Sequence, residues 1–127
     1  EQFSGFSKRR QEIAMLYDEL LGDCPDIVLF HRNYRSVVPF MYVIRVDAER
    51  RDPLAEFLSD RGVGAALRYF PAHMQEFWRQ THRELPVTQM MAAEMMSLPM
   101  YHGMMGSQVA EVVRLIRTFF RMGEPDA

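Results

Sequence analysis

A chain of 127 residues, 48% hydrophobic and 25% charged, is long enough for one hydrophobic core and too short for several, which excludes a multidomain enzyme within it. Fifteen Lys+Arg against 17 Asp+Glu give a formal charge of -2, with no basic stripe to meet a nucleic-acid backbone. A single cysteine, Cys24, excludes an internal disulfide framework and fits a reducing compartment, and no apolar run reaches the roughly 18 residues of a membrane span. Residues 1–6 lack the order of a signal peptide, so the expectation is a soluble, cytoplasmic protein with neither nucleic acid nor membrane as partner.

Along the chain, Ile13, Leu16, Tyr17 and Leu20 recur at helical spacing, predicting a helix over 7–21 capped by Ser7 and stopped by a left-handed Gly22. Residues 40–46 are aromatic and β-branched and form the strongest strand candidate, ended by Asp47. Asp52 before Pro53 reads as an N-cap followed by the first helical residue of a second helix. Its Leu54, Phe57 and Leu58 face inward, and Gly62 terminates it. A second strand is expected over 63–69 and a short helix over 73–82, with Met74, Phe77 and Trp78 on one face. Pro86 opens a further helix ending near Met96, and 97–101 is extended. Ser107 caps the last helix, whose Val109, Val112, Val113, Ile116, Phe119 and Phe120 give the cleanest amphipathic pattern. Few short strands among helices predict an α+β two-layer sandwich, with helices packed on one face of a small, mostly antiparallel sheet.

Most motifs dissolve on inspection. Gly62-Val63-Gly64 follows a helix and opens a strand, the reverse of a dinucleotide fingerprint, so a helix stop explains it. His31, His73, His82 and His102 are scattered without the i, i+4 spacing of a metal site. Met90, Met91, Met95 and Met96 crowd the predicted helix as packing or interface residues rather than soft-metal ligands. Cys24, between Asp23 and Asp26, lacks the electropositive setting of a reactive thiolate, and no nucleophile elbow is present. Lys8 is the only lysine and opens a solvated run with Arg9 and Arg10, where an amine keeps its proton.

One constellation remains, between a strand end and a helix start: Arg68, Tyr69, Phe70, Pro71, Ala72, His73, Met74 and Gln75. Arg68 suits a two-pronged grip on a carboxylate or phosphate, His73 and Gln75 suit hydroxyl recognition, and Tyr69 suits stacking. Residue types alone leave this open between a ligand site and ordinary helix capping with surface polarity, the commoner use of polar loop residues.

Taken in order, the stretches Lys8-Arg9-Arg10-Gln11-Glu12-Ile13-Ala14, Tyr17, Glu19-Leu20-Leu21, Met41-Tyr42-Val43-Ile44-Arg45-Val46-Asp47, Arg61-Gly62-Val63-Gly64, His73-Met74-Gln75, Leu85-Pro86-Val87 and Ser97-Leu98-Pro99-Met100-Tyr101 carry a family likeness. Over almost the whole chain they resemble the DegT/DnrJ/EryC1/StrS sugar aminotransferases, which use pyridoxal phosphate.

The resemblance implies that residues 1–127 are the carboxy-terminal small domain of a fold-type I aminotransferase. The large domain that supplies the cofactor lysine and most phosphate contacts is then absent. The whole enzyme would be a homodimer moving an amino group, usually from glutamate, onto a nucleotide-linked keto-sugar. This chain alone would bind no cofactor and catalyse nothing. On the same footing His73 and Gln75 fall on the family's substrate-side histidine-x-glutamine element, with Tyr69 just ahead. Arg68 stands where most members have histidine, as does Phe40 in the first strand, so a different anion is expected at Arg68. The rival reading is a free-standing α+β ligand-binding or dimerisation module without a cofactor.

Overall fold

Alternation along one short strand sets the architecture. In a computed structural model that describes residues 2–66, 70–81 and 84–122, Tyr42 and Ile44 of β2 (Tyr42–Arg45) are buried, while Val43 and Arg45 are only half-buried. The sheet therefore has one face sealed against helices. β2 lies in the middle, antiparallel to β1 (Val28–Leu29) and to β3 (Met95–Leu98). Tyr42 faces Leu98 and Ile44 faces Met96, so the apolar set of β3 joins that of β2 on the sealed face.

Four α-helices complete the fold: α1 (Gln2–Leu21), α2 (Ala48–Ser59), α3 (Pro86–Glu94) and α4 (Gly106–Met122). α4 carries the periodic apolar residues expected of it and adds Leu115 to the buried set. It packs against α1 and α2, and Ile13, Tyr17, Leu54, Leu58 and Ile116 meet Ile44 and Met96 in one core. The expected α+β arrangement holds, with an antiparallel sheet of three strands.

Several boundaries differ from expectation, each for a local reason. α1 begins at Gln2, so Ser7 lies inside it rather than capping it. Gly22 is not left-handed, since Gly62 is the only described glycine with positive φ. A Cβ at Gly22 would instead meet the Asp18 carbonyl at 2.9 Å, which is why a glycine fits there. The strand over 40–46 contracts to its central four residues, leaving Phe40 on an exposed bend.

α2 starts one turn before the Asp52 signal, because Asp47 caps it by accepting from the Glu49 N–H at 2.9 Å. Pro53 then sits inside the helix, on its exposed side, and has no N–H to donate to the Glu49 carbonyl four residues back. The end at Gly62 is as predicted. With φ +76 there, Val63 N–H reaches the Leu58 carbonyl at 2.9 Å and Gly62 N–H reaches Ser59 at 2.9 Å, the paired bonds of a Schellman cap.

No strand ladder forms over 63–66. Ala66 makes only a two-bond bridge with Ser97 on the edge of β3, and 67–69 lie outside the described residues. The helix expected to reach Met96 stops at Glu94, which places Met95 and Met96 in β3 rather than in a helical methionine cluster. That end is fixed from both sides: Val46 N–H donates to the Glu94 carbonyl at 3.0 Å, and Arg45 grips the Glu94 carboxylate at 2.9 and 2.5 Å. Ser107 falls inside α4. The Gln108 side chain caps instead, accepting from the Met105 N–H at 2.8 Å.

Candidate functional site

The segment carrying the predicted site residues forms short 3-10 turns rather than one α-helix. Buried Pro71 enters a single 3-10 turn, Ala72–Met74, closed by Met74 N–H to the Pro71 carbonyl at 2.9 Å. Gln75 then turns extended, with φ -72 and ψ 145, and a second 3-10 run follows over Glu76–Thr81. The single helix expected over 73–82 is thus two pieces broken at Gln75. His82 lies outside the described residues.

His73 lies in the first of these turns and Gln75 at the break that follows it. His73 is half-buried and Gln75 exposed, its side-chain amide lying 3.4 Å from the Phe70 carbonyl, a long contact. Arg68 and Tyr69, the other two predicted site residues, lie outside the described residues.

Several large apolar side chains between residues 70 and 90 are exposed. Phe77 is 82% exposed and Trp78 47%, their rings meeting edge-on at 4.9 Å, and Phe70, Leu85, Val87 and Met90 are exposed as well. Large apolar groups concentrated in one stretch mark a surface that meets something. The helical pattern of Met74, Phe77 and Trp78 was legible in the sequence, but period alone cannot say whether such a face turns inward or outward.

Elsewhere the described residues offer little chemistry. A cleft of about 400 Å³, lined by Gly62, Gly64, Pro99, Tyr101, Glu111 and Val112 among others, includes neither His73 nor Gln75. Cys24 is buried and its thiol is pushed up by that burial, the opposite of a nucleophile. Lys8, the only amine available to hold a carbonyl cofactor, is exposed on α1 and lines no described cleft. Among the described residues no cluster of three His, Cys, Asp or Glu could hold a metal, and no helix is long and apolar enough to cross a membrane.

Sequence reasoning missed two features around α1 and β2. Tyr42 and Tyr17 stack at 4.7 Å, with the Tyr42 hydroxyl on Asp18 and the Tyr17 hydroxyl on the Pro99 carbonyl. Arg10 donates to the Phe40 carbonyl at 2.8 Å and Gln11 to that of Val37 at 3.3 Å, lashing the loop before β2 to α1. A long-range partner of this kind leaves no periodic trace in the chain.

Comparison with known proteins follows the same outline. A profile of the DegT/DnrJ/EryC1/StrS aminotransferase family matches residues 1–117. Among solved structures, the aminotransferase TlmJ from Streptoalloteichus hindustanus superposes with a TM-score of 0.81 at 29% identity, over 92% of this chain and 32% of that one. DesV from S. venezuelae gives a TM-score of 0.84 at 24% identity, over 97% and 33%. PseC from Helicobacter pylori, an aminotransferase of pseudoaminic acid biosynthesis, gives 0.79 at 19%, over 92% and 33%, a likeness of fold alone. The chain therefore spans 32% to 33% of the length of these structures.

Proposed function

From the premise that the chain belongs to the DegT/DnrJ/EryC1/StrS aminotransferase family, we propose that it is the substrate-covering small domain of a sugar aminotransferase. The whole enzyme transfers an amino group from glutamate to a nucleotide-linked keto-sugar, as a cytoplasmic homodimer in polysaccharide biosynthesis. Pyridoxal phosphate, bound in a larger amino-terminal domain, supplies the electron sink for that transfer. The observation that carries this reading is a family match over 117 residues in a chain that covers only 32% of a matched structure and whose one lysine is exposed on α1. Among the described residues Lys8, the one lysine, is exposed on α1, and on this reading the chain alone neither binds the cofactor nor turns over.

Its own residues bind and enclose. Half-buried His73 and exposed Gln75 meet sugar hydroxyls, while Phe70, Met74 and Trp78 exclude water from the reacting end. The same apolar face rests against the large domain, which accounts for its exposure here. Tyr69 and Arg68 complete the substrate wall. Arg68, a permanent cation, holds an anion of the amino donor or of the nucleotide diphosphate.

The test is an assay of the complete protein with pyridoxal phosphate and glutamate against a panel of nucleotide keto-sugars. Transfer to at least one sugar is expected, with Arg68→Ala raising the KM of one anionic substrate by about tenfold to a hundredfold. No transfer to any sugar, or activity of this chain unaided, overturns the proposal. A free-standing ligand-binding or dimerisation module would show neither cofactor dependence nor turnover.

A further inference from the structure

We draw no further inference here: the strongest candidate, the exposed apolar patch of Val37, Val38 and Phe40 on the loop that Arg10 and Gln11 hold against α1, carries nothing because nothing in the structure shows what covers it.

Discussion

The Tyr42 hydroxyl donates a 2.7 Å hydrogen bond to the Asp18 carboxylate, tying the central strand to α1 through a half-buried charge. Beside it the Tyr17 hydroxyl donates to the neutral Pro99 carbonyl at 2.9 Å. Bonds to charged acceptors are the stronger kind, and removing the donor leaves Asp18 partly desolvated without its partner. Tyr42→Phe should therefore lower unfolding free energy by about 1.5–3 kcal/mol, against about 1 kcal/mol for Tyr17→Phe. Urea unfolding of both variants measures this. Equal losses would mean that the charge on Asp18 adds nothing.

Burial pushes the Asp18 carboxyl up, and the Tyr42 hydrogen bond and nearby His31 only partly oppose it. The folded chain thus keeps this proton over a pH window in which the unfolded chain has released it. Across that window Asp18 makes stability fall as pH rises. Asp23, held low by Arg117, and Glu111, held low by Arg114, act oppositely: their contribution is present above the ordinary carboxylate range and fades as pH falls. Comparing wild type with Asp18→Asn cancels those two. The melting temperature of the variant should gain on wild type as pH climbs from the ordinary aspartate range, and a difference moving the other way would reject the burial of Asp18.

What the sequence made legible was the apolar skeleton. α4 is readable because its buried residues repeat at one period, and β2 because Tyr42 to Arg45 suit no other element. Boundaries failed where two polar residues competed for one role. Asp47 and Asp52 both look like caps, and only the exit of β2 at Val46 gives the helix start to Asp47. Likewise Gln108 reaches back to Met105 and displaces Ser107, a choice that depends on the approach of the preceding loop. β1 escaped notice because two residues carry no period. Of the site, the residue types at 73–75 were readable, but the break at Gln75 and the outward turn of Phe77 depend on what the segment packs against.

Glycine positions separate conformational need from space. Gly62 has φ +76 and a Cβ there would touch nothing within 4 Å, so Gly62→Ala should cost about 1–2 kcal/mol through backbone strain alone. Gly64 is equally open without that φ, and Gly64→Ala should be neutral or stabilising by about 0.4–1 kcal/mol. At Gly22 the added Cβ would sit 2.9 Å from the Asp18 carbonyl oxygen, forcing the end of α1 to shift and lowering stability. Thermal unfolding of the three alanine variants should rank Gly64 above the other two. A Gly62→Ala variant as stable as Gly64→Ala would contradict the Schellman geometry assigned to Gly62.

On the proposed function, His73 and Gln75 act in binding rather than in chemistry, so their loss should appear chiefly in KM. Gln75→Ala in the complete enzyme should raise the KM of the keto-sugar by about tenfold while kcat stays within about twofold. Because Gln75 is exposed and its side-chain contact with the Phe70 carbonyl is 3.4 Å long, unfolding of the same variant should change by less than about 0.5 kcal/mol. His73 is half-buried, and His73→Gln, which keeps a hydrogen-bonding side chain, should recover part of the KM lost in His73→Ala. A kcat effect without a KM effect would move both residues out of the substrate wall.

Trp78 reports on the apolar face by itself, because it is the only tryptophan in the chain. At 47% exposure beside Phe77 it should emit at long wavelength and be readily quenched by acrylamide when the chain stands alone. On the proposed function, joining the chain to the cofactor-binding portion should shift the same indole to shorter wavelength and remove most of its quenching, since an apolar face of this kind is expected to be covered in the assembled protein. Phe77→Ser sharpens the comparison. Phe77 is 82% exposed in the chain alone, so the substitution should change its stability by less than about 0.5 kcal/mol, yet it should loosen the joined protein and restore quenching of Trp78. Equal quenching in the two settings would place the large domain on another face and leave the exposure of Phe77 and Trp78 to a different partner.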